Sequence, residues 1–164
     1  MSNALPSVTQ LRLNTAEEFE TDFAFSGHPE GDEVKISTST SAAVYDLNGV
    51  LEGRLTQLLR SKFGSINPSS DNRISVSVDR IETENDTQAF SSGGTHQVSV
   101  EVGIEIRREG ETFTRTISRS AQIDAKQTGE LVPKTVVDEA QLEEFIMQFV
   151  VGADSFIDSN FGVD

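Results

Sequence analysis

The sequence contains no cysteine and no tryptophan among its 164 residues, and it has one tyrosine and two histidines. Without cysteine the chain has no disulfide, no thiolate metal ligand and no thiol nucleophile. It also lacks any apolar run that approaches the roughly 20 residues of a membrane-spanning helix. We therefore expect no transmembrane segment and no chemistry based on thiols.

Basic side chains are scarce. The chain has 13 Lys and Arg residues against 27 Asp and Glu residues, which gives a formal net charge of −14. Because each neutralised phosphate of a nucleic acid requires a Lys or an Arg, nucleic acid is not an expected partner. Two interpretations of the acidity remain open, a solvated surface that favours solubility or an acidic face that attracts a basic partner.

Clusters typical of catalytic or metal sites are also missing. His28 and His96 are far apart and have no metal-binding spacing around them, so both are interpreted as structural or incidental. The C-terminal residues Asp154, Asp158, Asn160 and Asp164 offer oxygen ligands but lack the spacing of a calcium loop, which favours solvation of a helix end. No Gly-x-Ser-x-Gly motif occurs. We expect no catalytic residue, no metal site and no cofactor, and therefore a protein that is not an enzyme.

Apolar periodicity predicts an α+β domain. Apolar residues that alternate with polar ones predict strands, and apolar residues at three- and four-residue spacing predict helices. The predicted strands cover 33–40, 74–78, 98–106 and 113–123, and the predicted helices cover about 43–63 and about 137–159.

These elements occur in the order β-α-β-β-β-α. The simplest arrangement that buries every apolar stripe is an antiparallel sheet of about four strands, with the two helices packed on one face. Residues 33–164 are therefore expected to form a single α+β domain, preceded by a partly flexible N-terminal arm of residues 1–32. Gly49 and Gly53 inside the first helix indicate either close packing against the sheet or a locally loosened helix.

A two-residue turn at Glu109-Gly110 would place two arginines on the apolar face of the last hairpin. In that register Arg115 faces Ile104 and Arg119 faces Val100. Since an unpaired buried guanidinium is very costly, one interpretation is that both side chains extend past the helices to pair with acids such as Glu52. The other interpretation is a cationic patch in an apolar groove, suited to a lipid head group or an acidic peptide. Arg107 and Arg108 at the turn would add to this patch, so the candidate binding residues are Arg107, Arg108, Arg115 and Arg119.

The order and pattern of the elements also resemble a known family. The matching segments are the Leu-rich helix at 47–59, the strand 74–78, the hairpin 98–117 and the last helix, within about residues 33–160. In these segments the chain is similar to the small bacterial envelope lipoproteins of the YajG, LptE and ABC-transport auxiliary type. The resemblance implies a non-catalytic, exported protein that is tethered by an N-terminal lipidated cysteine and acts in outer-membrane assembly or lipid transport. That cysteine is absent, and Ser2, Asn3 and Ala4 resemble a cloning remnant, so we expect the anchor to have been removed with the native N-terminus.

Three functions follow as alternatives. The first is a periplasmic or outer-membrane-associated interaction module whose partner is another envelope protein or a lipid head group. The second is a small-ligand-binding or enzymatic domain with a pocket between the first helix and the sheet. The third is a cytoplasmic or phage-borne structural protein that self-associates through an exposed edge strand. The sequence leaves the oligomeric state open.

Overall fold

The computed structural model describes residues 21–27, 33–37, 42–63, 65–86, 93–127 and 135–161. Within these residues the chain forms seven strands and two helices. They are β1 (Asp22–Ser26), β2 (Glu33–Ser37), β3 (Ala42–Asp46), α1 (Leu47–Phe63), β4 (Arg73–Asp86), β5 (Gly93–Arg108), β6 (Glu111–Gln127), β7 (Thr135–Val137) and α2 (Glu139–Phe161).

The main sheet has the strand order β1-β4-β5-β6-β7. The pairs β4/β5, β5/β6 and β6/β7 are antiparallel, whereas β1 and β4 are parallel. Both helices contribute their apolar sides to one core with the inward side chains of β4, β5 and β6. The predicted α+β class is therefore confirmed, with two helices on one face of a mostly antiparallel sheet.

The β5–β6 hairpin has the register that the alternation predicts. Glu109 and Gly110 form the turn with φ angles of 52° and 82°, as a two-residue hairpin turn requires. Arg115 faces Ile104 and Arg119 faces Val100 in the paired strands. One face of β5 is buried and the other is not, because the strand strictly alternates apolar and polar side chains.

The first helix begins later than its apolar spacing predicts. Residues 42–46 form strand β3, and α1 starts only at Leu47. Asp46 ends the strand and caps the helix, since its Oδ1 accepts a hydrogen bond of 2.9 Å from the Gly49 amide. Val44 lies at a helical spacing from Leu47 but belongs to the strand.

Two strands occupy places that the sequence pattern does not indicate. Residues 33–37 do not join the main sheet, because β2 pairs with β3 in a separate two-stranded sheet. Strand β1 lies inside the predicted N-terminal arm and forms one edge of the main sheet, where it runs parallel to β4. Parallel pairing between distant segments leaves no turn signal in the sequence.

Helix α2 runs antiparallel to β6 along its length. At its start the Gln141 side chain contacts Asp124 near the end of β6, and at its other end the Asn160 carbonyl oxygen accepts a hydrogen bond from Arg108 beside the hairpin turn. Asp138 caps the helix through the Gln141 amide. The helix begins at Glu139 rather than at Val137, because 135–137 forms β7. No helix of the described residues combines the length and apolar character needed to cross a membrane.

Candidate functional site at the edge of the sheet

Strand β6 is a long edge strand of the main sheet. It pairs with β5 over its whole length, but β7 covers only residues 125–127 on its other side. From Glu111 to Asp124, no strand of the described ranges pairs with β6 on the side away from β5. We call this stretch, residues 111–124, the β6 edge.

The hairpin turn determines which backbone groups of the β6 edge point outward. A two-residue turn makes Arg108 and Glu111 a hydrogen-bonded pair, and hydrogen-bonded and non-hydrogen-bonded pairs then alternate along an antiparallel ladder. Asp124 is the last residue of the outward series, where its carbonyl oxygen accepts from the Asp138 amide and its amide donates to Gln141 Oε1. The residues before it whose amides and carbonyls point away from β5 are therefore Thr112, Thr114, Thr116, Ser118, Ser120 and Gln122. All six side chains are exposed on the sheet face opposite the helices.

The intervening side chains of the β6 edge point toward the helix layer. Ile117 is buried, whereas Arg115 and Arg119 on either side of it are exposed. The Arg115 guanidinium lies over the Phe156 ring of α2, 4.7 Å from its centroid, and so forms a cation–π contact. Arg119 Nη1 donates to the Ser118 carbonyl oxygen at 2.9 Å. Neither arginine has an ion pair with a carboxylate of the described residues, including the expected partner Glu52.

The other two candidate arginines have different surroundings. Arg108 shares the helix-facing side of the sheet, where it donates to the Asn160 carbonyl oxygen at 2.5 Å and lies over the Phe161 ring at 5.3 Å. It therefore holds the C-terminal end of α2. Arg107 is exposed and, by the alternation of β5, belongs to the opposite face. The structure thus groups Arg115 with Arg119 and separates both from Arg107.

A depression of about 200 Å³ is lined by Gln97, Ser120, Ala121 and Gln122. The second functional alternative predicts a pocket between α1 and the sheet. Apolar side chains fill this interface instead. Five leucines of α1 are each at most 3% exposed there, namely Leu47, Leu51, Leu55, Leu58 and Leu59.

The opposite edge of the sheet differs from the β6 edge. Strand β1 covers β4 from Arg73 to Ser77, and the β4/β5 register then shifts between Val78 and Arg80. The residue between them, Asp79, accepts a hydrogen bond from Ser77 Oγ. A bulge twists an edge away from further strand pairing, and this protection is missing along β6, whose register with β5 is unbroken.

A buried lysine joins the two helices. Lys62 is 0% exposed and forms ion pairs with Asp154, at 2.7 Å, and with Asp158. These carboxylates are therefore partners of Lys62, and the interpretation that they solvate a helix end is incomplete. Lys62 lies three and four residues after the buried Leu59 and Leu58, so helical spacing alone could have placed it on the core-facing stripe.

A second polar contact joins α1, α2 and β3. Arg54 pairs with Glu143 at 2.8 Å, close to the half-buried Tyr45. Burial, reinforced by the negative charge of Glu143, raises the pKa of Tyr45 to about 12. The phenol therefore stays protonated to a higher pH than an exposed tyrosine does.

The structure describes one of the two histidines. His96 is fully buried at the start of β5, and His28 lies outside the described residues. Within the part of the chain that the structure describes, no three His, Cys, Asp or Glu side chains are grouped as a metal ion would require.

Comparison with known proteins adds little about function. No protein-family model matches the chain, and no curated protein matches it. Seven chains of solved structures are similar to it. One of them, described as the crystal structure of an uncharacterized protein, has a TM-score of 0.46 and 14% sequence identity, over 86% of this chain and 91% of that chain.

Proposed function

We propose that this protein is a non-enzymatic interaction module of the bacterial cell envelope that binds its partner along the β6 edge. The observation that supports binding there is the pair of exposed arginines, Arg115 and Arg119. They lie on one side of one strand, without ion pairs to the described carboxylates, in a chain whose net charge is −14. In so acidic a protein, two such cations favour an anionic partner.

The position of Arg115 supports the same proposal. The Arg115 guanidinium lies over the Phe156 ring, 4.7 Å from its centroid, and this contact restrains its position while leaving N–H groups to donate to a ligand. A planar donor held in this way is suited to a carboxylate or a phosphate. The proposed envelope location rests on the resemblance of the sequence pattern to the YajG, LptE and ABC-transport auxiliary lipoproteins.

Fractionation of the producing cells tests the location. We expect the protein produced from its own gene to sediment with the membranes. A cytoplasmic marker enzyme and a periplasmic one serve as controls. Recovery of the protein with the cytoplasmic marker would refute the envelope role.

A further inference from the structure

We propose that the β6 edge accepts an extended, acidic segment of a partner protein as an added antiparallel strand. This inference rests on the interaction role proposed above and specifies the class of partner. Peptides that bind an open sheet edge gain affinity from backbone hydrogen bonds and specificity from alternate side chains. The β6 edge offers both kinds of contact.

The backbone contribution comes from the outward amides and carbonyls between Thr112 and Gln122. Thr114, Thr116 and Ser118 lie at the centre of this stretch, where no described strand covers them. Among the described residues, Arg119 is the one side chain that bonds to these groups, since it donates to the Ser118 carbonyl oxygen. An added strand would replace that single bond and release the guanidinium for a carboxylate.

The side-chain contribution comes from Arg115, Ile117 and Arg119. Arg115 and Arg119 are the only charged residues between Thr112 and Ile123. They are four residues apart, which corresponds to about 13 Å along a strand. Residues opposite them in an added antiparallel strand would form non-hydrogen-bonded pairs, whose side chains lie closest together. The matching segment therefore has the pattern acidic-x-apolar-x-acidic.

This geometry favours a peptide over a lipid head group. The backbone positions of Arg115 and Arg119 are about 13 Å apart along the strand, which matches two acidic residues of a peptide strand that are also four apart. A lipid offers no regular series of donors and acceptors for the outward backbone groups. A second copy of the chain is also less suited. A symmetric antiparallel pair centred on Ile117 would place Arg115 opposite Arg119 of the other copy, and like charges in that position are destabilising.

The test measures binding of a labelled peptide that contains Glu-Thr-Val-Thr-Glu by fluorescence anisotropy, with Lys-Thr-Val-Thr-Lys as the control peptide. We expect the acidic peptide alone to bind. Combined Arg115→Ser and Arg119→Ser substitutions should weaken binding by about tenfold or more, because two charge-assisted contacts are lost. The matched control replaces the exposed Arg60 and Arg107 by Ser, which removes the same charge, and should change the affinity by less than about twofold.

Two further measurements separate strand addition from simple charge attraction. Thr116→Pro removes one outward amide but no bond to β5, so it should leave the fold intact and reduce binding strongly. Independently of any variant, N-methylation of the two Thr amides of the peptide, which would face β6, should abolish binding. Methylation of the Val amide, which would face away, should be tolerated.

Each result of these binding measurements has a different consequence for the proposal. Binding that survives Thr116→Pro and methylation of the Thr amides would reduce the interaction to charge attraction and overturn strand addition. Binding to phosphatidylglycerol vesicles but not to the peptide, or self-association that the peptide does not reverse, would overturn the proposal as well. Peptide binding by a protein recovered in the cytoplasm would refute the envelope role but retain strand addition.

Discussion

At the scale of single residues, the buried Lys62 is the most consequential side chain. Its ammonium group is 0% exposed, while Asp154 and Asp158 beside it are 21% and 18% exposed. Burying a charge is costly unless partners compensate it, and here both partners come from the other helix. The ion pairs therefore specify how α1 and α2 align near the ends of both helices.

Replacement of Lys62 by Met tests this role. The two carboxylates would lose their cation and repel each other, so we expect the free energy of unfolding to fall by about 3 kcal/mol. Urea denaturation followed by circular dichroism measures this change. Adding Asp154→Asn and Asp158→Asn to Lys62→Met should recover part of the loss, since the repulsion is then removed.

The neighbouring Arg60 supplies the matched control for Lys62. It is exposed on the same turn of α1 and has no ion pair with the described residues. Arg60→Met should therefore change the stability by at most about 0.5 kcal/mol. An equal effect of the two substitutions would show that the ion pairs with Lys62 contribute nothing specific.

The pKa of Tyr45 can be measured directly by absorbance, because the chain has one tyrosine and no tryptophan. Absorbance at the phenolate band should titrate with a midpoint of about 12 in the folded protein. In urea the midpoint should fall to about 10. Glu143→Gln should lower the folded midpoint, since the charge of Glu143 is one cause of the shift. A folded midpoint near 10 would contradict the burial of the phenol.

The raised pKa of Tyr45 also makes the stability of the fold depend on pH. A pKa that is higher in the folded state means that folding favours the protonated phenol, so this contribution to stability is complete below pH 10, the ordinary value. It is lost as the pH rises toward about 12. Tyr45→Phe should remove the phenolate penalty and reduce the alkaline loss of stability.

At the scale of elements, three glycines inside helices have three different environments. A Cβ at Gly152 of α2 would lie 2.7 Å from Ile117 Cδ1, which means that the helix approaches β6 closely at this residue. At Gly49 a Cβ would meet the Asp46 carboxylate that caps α1, whereas Gly53 has open space around it. Gly49 and Gly53 are both exposed, so the expectation that they allow close packing against the sheet is wrong.

Alanine and valine substitutions at Gly53 and Gly152 form a matched test. Gly53→Ala should stabilise the protein by about 0.5 to 1 kcal/mol, because alanine favours the helix and meets no neighbour. Gly152→Ala gains the same helix propensity but must displace Ile117, and Gly152→Val should destabilise by about 1 to 3 kcal/mol. Thermal unfolding of the four variants, with Gly53→Val as the fourth, measures both effects. A stabilising Gly152→Val would contradict the close approach of α2 to β6.

Elements whose apolar period is long and regular could be predicted from the sequence. The hairpin 98–123 has its predicted register, since the strict alternation of β5 and the Glu109-Gly110 turn leave one pairing that buries every apolar side chain. Both helices begin later than predicted, because each start is set by one capping carboxylate, Asp46 or Asp138. The spacing of apolar residues contains no information about such a cap.

At the scale of the whole molecule, the prediction from sequence fails where contacts join distant segments. The parallel pairing of β1 with β4 and the separate β2–β3 sheet depend on tertiary packing, and neither leaves a local signal. The position of Arg115 and Arg119 on the helix-facing side of β6 could be predicted, because it follows from the hairpin register. Their lack of ion pairs with described carboxylates could not, since it depends on how α2 lies along β6.

The large negative net charge also affects the stability of the fold. At −14 the folded chain repels itself more strongly than the expanded chain does, because folding brings the same charges closer together. Salt screens this repulsion, since the Debye length falls from about 30 Å at 0.01 M to about 10 Å at 0.1 M and to about 3 Å at 1 M. Salt also weakens exposed ion pairs such as Arg73–Asp22, but such pairs contribute at most about 1 kcal/mol each.

We therefore expect sodium chloride to stabilise the protein. Between about 10 mM and 500 mM, the melting temperature should rise by about 3 to 6 °C, which corresponds to about 1 to 2 kcal/mol for a domain of this size. A variant with Glu52→Gln, Asp71→Asn and Glu111→Gln, all exposed residues without described ion pairs, should melt higher at low salt and respond less to salt. A melting temperature that falls with salt would mean that attractive pairs, led by those of the buried Lys62, outweigh the repulsion among the excess acidic groups.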